Sequence, residues 1–347
     1  MVVVFLARLF YPHIGGVEKH VLEISRLLTK KGCKVIILTE RYNNNLKAFE
    51  ELSGIDIYRI NAGKDNFFKK FRVWFGLWKL RSLFKNADII HAHDVFFWYL
   101  PFRFLYFNKP IFTTFHGYET KFPPSKRAIF IRKISEWLSN GSICIGKYVK
   151  KWYGASSKYV TYGGVSIRNY HATVCGSYAK GIKILFIGRL EEDVGIRIYL
   201  RVMDVLKKKR VRFTFDACGD GPFRKEVERF GKVYGFVSDL ASYIKSSDFV
   251  FASSYLSILE AMAAKKMVFS VYDNPLKEDY LKMSPFAQWI VIESSPEKVT
   301  QRIEYFIKHF EIKDKIVNAG YEWVKTQTWD KVVNEYLNLW HSNNTYH

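Results

Sequence analysis

Between a first apolar run and the first helical pattern stands the turn Phe10-Tyr11-Pro12-His13-Ile14-Gly15-Gly16-Val17-Glu18. Two adjacent glycines let the backbone come close to a ligand, and the N-terminus of the helix that follows favours an anion. An ordinary strand-to-helix turn has the same pattern, so the motif alone leaves both readings open. A second segment, FFKKFRVWFGLWKLRSLFK at 67–85, interleaves Lys and Arg with Phe and Trp. On a helical wheel neither class gathers on one face, so no clean amphipathic helix is expected. Long cationic stems can still snorkel while Trp74, Trp78 and neighbouring phenylalanines enter an interface. The alternative is a helix buried on one side with solvated lysines. The four cysteines, Cys33, Cys144, Cys175 and Cys218, form no C-x-x-C pair and join no histidine at metal spacing. They read as reduced structural thiols of a cytosolic protein.

The elements that must position these residues follow from composition and period. The 347 residues, 48% of them apolar, can bury two cores of ordinary size. A formal charge of +21 calls for an acidic partner: nucleic acid, an anionic membrane face or a phosphorylated substrate. Aromatic content of 17% suits single-stranded nucleic acid or a lipid interface, and charge alone does not choose. No nucleic-acid signature accompanies it, so no nucleic acid is expected as partner. The opening MVVVFLARLFYP is short, is interrupted by Arg8 and lacks a cleavage site, which reads as a buried first strand rather than a signal peptide. The most apolar window, FFWYLPFRFLYF at 96–107, is too short for a membrane span and contains Pro101 and Arg103.

Short β-branched runs alternate with helical stretches throughout. VVVFLA, KVIILT, DIYRI, ADIIHA, PIFTTF and GSICI are strand candidates in the first half; KILFIG, RFTFDA, DFVFAS, MVFSV and WIVIE follow in the second. Between them lie segments such as VEKHVLEISRLLTKKG, terminated at Gly32. Continuously apolar strands alternating with helices mean parallel sheets covered on both faces. The fold class expected is α/β, with two Rossmann-like doubly wound domains facing across a cleft: residues 1–165, a small polar linker 166–181, and residues 182–327. The remaining 328–347 are expected to pack back on the first domain as a helix.

The motifs ARLFYPHIGGVEKHV, ADIIHAHD, TTFHGYE, GRLEEDVGI, GDGP, YGFV, SSDFVF and ILEAMAAKK occur in this order. Each is weak alone; in register over nearly the whole chain they resemble glycosyltransferase family 4, retaining enzymes of the GT-B fold. The resemblance implies that Gly15 and Gly16 form the loop beside the donor phosphate and the acceptor. It matches His116 to a histidine facing the donor sugar and Arg189 to the residue neutralising the leaving diphosphate. It matches Glu260 to the carboxylate holding the nucleotide ribose, whose two hydroxyls can donate to one carboxylate. Phe236 and Val237 would lie near the base, and a helix starting near Ser257 would face the phosphates. The donor would be a nucleoside diphosphate sugar, with no metal and no other cofactor, and the reaction transfer to a hydroxyl acceptor. With residues 67–85 at an anionic membrane surface, the acceptor would be lipid-linked and the enzyme peripheral on the cytoplasmic, inner face of the cell membrane.

Two departures from the family pattern stand out. The G-R-L loop usually carries a lysine just before its second glycine, and here that position is Val194. Arg197, Lys265, Lys266 and Lys277 are candidates to replace the missing cation. The family's E-G-F-G segment also begins with a glutamate eight residues before the ribose carboxylate, where this chain has Ala252. That loop is missing, leaving Ser253, Ser254, Tyr255 and Ser257. The second reading is therefore a GT-B-like nucleotide-binding or assembly protein impaired in catalysis.

Overall fold

The computed structural model describes residues 1–117, 122–167, 170, 178 and 181–342. Cys175, most of the expected linker 166–181, and Tyr118 and Glu119 of the T-F-H-G motif lie outside the described residues. The chain forms two compact units, Met1–Thr161 with Trp329–His347, and Tyr162–Thr328.

The first unit runs β1 (Val2–Ala7), α1 (Gly16–Lys30), β2 (Lys34–Glu40), β3 (Phe49–Leu52), β4 (Ile55–Ile60), α2 (Lys69–Lys79), α3 (Arg81–Asn86), β5 (Ile89–His93), α4 (Phe96–Leu105), β6 (Ile111–Phe115), α5 (Lys126–Leu138), β7 (Gly141–Ile145), α6 (Tyr148–Tyr153) and β8 (Tyr159–Thr161). The second runs β9 (Ile182–Ile187), α7 (Ile196–Lys208), β10 (Phe213–Cys218), α8 (Arg224–Glu228), β11 (Lys232–Val233), α9 (Leu240–Ser246), β12 (Phe249–Phe251), α10 (Tyr255–Ala263), β13 (Met267–Val271), α11 (Pro275–Lys282), β14 (Val291–Glu293), α12 (Pro296–Lys308) and α13 (Phe310–Val324). A final helix, α14 (Trp329–His341), belongs to the first unit.

The sheets are ordered β3-β4-β2-β1-β5-β6-β7-β8 and β11-β10-β9-β12-β13-β14. All pairings are parallel except β3 with β4. Central strands are apolar on both faces because helices cover both; β5 and β6 are buried at every residue. Three strands were not foreseen: β3, β8 and β11. All are short and sit at sheet edges, and FEEL and KV carry no apolar run to betray them. Each sheet reverses its winding once, between β1 and β5 and between β9 and β12. Beyond the carboxyl ends of strands at such a reversal, the diverging loops leave a crevice for a ligand.

Helix α2 corrects the wheel reading. Its aliphatic residues Val73 and Leu77, four apart, are buried, and Phe71, Phe75 and Trp78 point outward, while Trp74, expected at an interface, is half-buried against Phe97 and donates to its carbonyl. A wheel that counts Phe and Trp simply as apolar cannot see this division. Gly76 seats the helix close on β4: a Cβ there would lie 2.3 Å from Ile60 Cγ2. Among the described residues no helix is long and apolar enough to cross a membrane.

Candidate active site

In the first unit the sequence-chosen residues lie beyond the carboxyl ends of β1 and β6. Gly15 caps α1 in an extended conformation, and its carbonyl accepts from Lys19 N–H. The Glu18 carboxylate folds over this helix start, so close that a Cβ on Gly15 would lie 2.2 Å from Oε2; His13 Nδ1 is 3.1 Å from the other oxygen. Gly16 has open space where a Cβ would be. An anion arriving at this helix end must therefore displace Glu18, a flexible side chain.

His116 follows β6. Its backbone N–H donates to Asp94 Oδ1 at 3.0 Å, and its ring is turned inward: Nε2 lies 2.9 Å from His93 Nδ1, and the His20 ring meets it edge-on at 4.7 Å. Burial first, and the Arg132 guanidinium second, push His116 down to about 3, so the imidazole is neutral. Burial likewise lowers His20, His91 and His93 well below the usual histidine range. The cluster is held by α14. Tyr336 Oη lies 3.0 Å from His20 Nε2 and 2.8 Å from Thr114 Oγ1, and Trp340 Nε1–H donates to His91 Nδ1 at 3.1 Å. Since an indole only donates, His91 Nδ1 accepts, and its proton sits on Nε2 facing Thr114 Oγ1 at 2.7 Å. Among the described residues no group of three or more His, Cys, Asp or Glu is arranged to hold a metal ion.

In the second unit the loops after β9, β10, β11, β12 and β13 interlock. Arg189 follows β9, half-exposed; Nη1 donates to Glu191 Oε2 at 2.6 Å and Nη2 to Asp193 Oδ2 at 2.5 Å. The fork is thus held in one geometry before any ligand arrives. Gly219 (φ +156) of the G-D-G-P turn could not bear a side chain, since a Cβ would meet Gly188 O at 1.7 Å. Gly219 also bridges to Gly235, which places exposed Phe236 and half-buried Val237 beside the Arg189 loop. On the other side Gly195 abuts β13, a Cβ there lying 2.5 Å from Val271 Cγ2. Val271 N–H donates to Ser253 Oγ at 3.1 Å, and Ser253 stands in the three-residue connection from β12 to α10.

That connection is as short as the missing E-G-F-G loop requires. Ala252, the first residue of that connection, still bonds to β13, its N–H donating to Phe269 O and its carbonyl accepting from Ser270 Oγ. Helix α10 starts at Tyr255, two residues before the expected start near Ser257, which sits half-buried in its first turn. Glu260 is buried one turn further on. Ser254 caps the helix without a side-chain hydrogen bond, and the first helical N–H, that of Tyr255, donates to Tyr280 Oη at 3.0 Å.

Two family models together span this arrangement: "Glycosyltransferase Family 4" matches residues 14–160 and "Glycosyl transferases group 1" residues 173–323. The chain belongs to the family 4 glycosyltransferases. An uncharacterised glycosyltransferase of Methanocaldococcus jannaschii is 25% identical over 95% of both chains. The gpi3 subunit of phosphatidylinositol N-acetylglucosaminyltransferase from Schizosaccharomyces pombe is 20% identical over 65% of this chain and 52% of its own length. Among solved structures, sucrose-phosphate synthase from Thermosynechococcus elongatus superimposes with TM-score 0.79 at 15% identity, covering all of both chains. Anabaena HepE, solved with UDP and glucose, does so with TM-score 0.74 at 14% identity, covering 99% of this chain and all of that one. These likenesses establish the GT-B fold.

Several residues packed around the candidate site were not singled out from sequence. His91 and His93 alternate in I-I-H-A-H, so period two puts both on one face of β5; that signal was available. Their partners His20, Tyr336 and Trp340 are far apart in the chain, and no local pattern joins them. The parallel stack of Tyr255 on Tyr280, centroids 4.0 Å apart at 5°, is equally non-local.

Proposed function

We propose that this family 4 enzyme moves a glycosyl group, with retention, from a nucleoside diphosphate sugar to the hydroxyl of a lipid-linked acceptor at an anionic membrane surface. The observation that carries the donor half is the placing of a pre-oriented Arg189, the N-terminus of α10 and buried Glu260 on the two strands that flank the winding reversal of the second sheet. Arg189 and the helix N-terminus stabilise charge on the departing diphosphate. Glu260 accepts from the ribose diol, and Phe236 and Val237 flank the base. The departing diphosphate takes the acceptor proton, so cationic side chains suffice without a metal. Binding of UDP, GDP, ADP and dTDP, followed by transfer assays with the matching sugar nucleotides and membrane lipid extract, tests this reading. Glu260→Gln should weaken diphosphate affinity roughly tenfold or more, the loss of about 1.5–3 kcal/mol for a charge-assisted pair, with the fold intact. Unchanged affinity removes Glu260 from the site, and binding without sugar turnover favours the impaired-enzyme reading.

The acceptor half rests on the first unit's surface. Phe67, Phe68, Phe71, Phe75 and Trp78 are 71, 62, 46, 62 and 48% exposed. Lys70 lies over Phe67 and Phe71, Lys79 over Phe75 and Arg81 over Trp78. A groove of about 700 Å³ beside them is lined by Phe49, Tyr58, Ile60, Phe71, Phe75 and Leu80. So large an exposed aromatic patch, studded with cations, fits an anionic bilayer on the inner face of the cell membrane. The relation to phosphatidylinositol N-acetylglucosaminyltransferase subunits favours a lipid acceptor too. Anionic vesicles should therefore sediment the protein reversibly. Each basic residue near the surface contributes about 1 kcal/mol, screened by salt, while inserted aromatics leave a salt-resistant remainder. Replacing Phe71, Phe75 and Trp78 by Ser should abolish high-salt binding. Replacing Lys70, Lys79 and Arg81 by Gln should weaken binding mainly at low salt. A protein that stays in the supernatant with anionic vesicles at low salt defeats this half.

A further inference from the structure

Val194, standing where the family carries a lysine, is buried among Leu190, Ile196, Tyr199, Phe269 and Val271 and presents nothing polar to the site. Of the four replacement candidates, Lys265 and Lys266 precede β13, at the amino edge of the sheet, opposite the crevice. Lys265 lies over Tyr321, and Lys266 Nζ donates to Lys245 O and Ser247 O. Arg197 points outward, paired with Glu192 at 2.6 Å and lying over Phe223. Lys277 is different. It rises from the first turn of α11, is 4% exposed, and its Nζ donates to Ser253 O at 2.7 Å.

Ser253 fixes where that ammonium sits. Its residue lies just ahead of the α10 N-terminus, in the shortened loop, and its hydroxyl is tied to Val271 N–H and, at 2.7 Å, to Tyr199 Oη. Val271 in turn packs on Gly195, the residue after Val194. The charged groups that act on Lys277 come from the same loops: Asp193 and Asp273 attract it and Arg189 repels it. A lysine is almost never buried without a charged or hydrogen-bonding reason.

We propose that Lys277 binds the diphosphate of the donor, supplying from the β13–α11 loop the second cation that Val194 has removed from the β9–α7 loop. The inference rests on the donor-site reading above and adds a residue to it. It also fits the short β12–α10 connection, since Lys277 Nζ is hydrogen-bonded to the carbonyl of Ser253, two residues ahead of Tyr255 at the α10 start. Arg189 and Lys277 then approach the two phosphates from different loops, and Asp193 moderates their mutual repulsion until the ligand arrives.

Burial brings the Lys277 amine down to about 8. Near pH 8.5 it is mostly neutral in the free enzyme and becomes protonated when a diphosphate binds. A nucleoside diphosphate should therefore take up about half a proton or more on binding, read from calorimetry in buffers of different ionisation enthalpy. Lys277→Met should abolish that uptake and weaken binding of the best of UDP, GDP, ADP and dTDP roughly tenfold or more. Affinity for the matching nucleoside should stay unchanged, since only the phosphates are affected. Lys277→Arg should recover part of the affinity without the uptake. Parental affinity and uptake in Lys277→Met would overturn the inference while leaving the donor site standing. Should Lys277→Met fail to fold, absence of uptake in the parent near pH 8.5 overturns it instead. A parent that binds no nucleoside diphosphate overturns the donor-site reading and this inference with it.

Discussion

Replacing Arg189 with alanine lowers turnover by about 10²–10³-fold while changing affinity for the intact donor far less. The guanidinium does not need to be recruited: Glu191 and Asp193 hold both its nitrogens before the donor arrives. A group oriented in advance costs no reorganisation when the glycosyl bond breaks and charge builds on the diphosphate. Val194 has already removed one cation, so little redundancy remains. Asp193 also bears on Lys277, and for that reason Arg189→Ala and Lys277→Met should be non-additive in a double-mutant cycle. The measurement is kcat with the identified donor beside the Kd of that intact donor. Equal turnover in Arg189→Ala and parent would shift the role to another residue, Lys277 or Arg197.

Mild acid unfolds the first unit, and it does so before carboxylate protonation can. The folded state keeps His20, His91, His93 and His116 neutral, the last at about 3, whereas the unfolded chain protonates each near 6.5. Below about pH 6.5 the unfolded state binds more protons, so stability is fully present above that value and is lost as pH falls toward the folded pKa values. Each such histidine costs about 1.4 kcal/mol per pH unit. Two of them over two units consume much of an ordinary domain's 5–15 kcal/mol. Buried Asp94, raised by its own burial, works in the opposite sense and offsets part of this. The expected result is a melting temperature that falls steeply between about pH 6 and 4.5, with uptake of at least two protons on unfolding. A melting temperature flat over that range would show the cluster to be protonated or open in solution.

The sequence was sufficient for the parallel α/β architecture. A strand covered by helices on both faces is buried nearly throughout and so mostly apolar, and VVVFLA, KVIILT and KILFIG announce themselves locally. The edge strands β3, β8 and β11 escaped because one side of each is unpartnered and little apolar surface is demanded of them. The local geometry of Arg189 was also within reach, since both carboxylates that hold it lie within four residues. Helix α2 shows the limit of pattern alone: the wheel counts apolar residues, but only packing against β4 and α4 decided that Val73 and Leu77 go inward while Phe71, Phe75 and Trp78 stay out. Lys277 was one of four candidates by composition. Its place beside Ser253 depends on α10 and α11 leaving adjacent strands of one sheet, which the strand order alone decides. Beyond His91 and His93, which alternation puts on one face of β5, the histidine cluster belongs to tertiary structure. Thr114 and Tyr336 stand 222 positions apart, and they meet only because the chain, after building the second unit, returns α14 to the first. Periodicity encodes what a residue's immediate neighbours bury, whereas contacts between distant segments exist only once the sheets have closed around them.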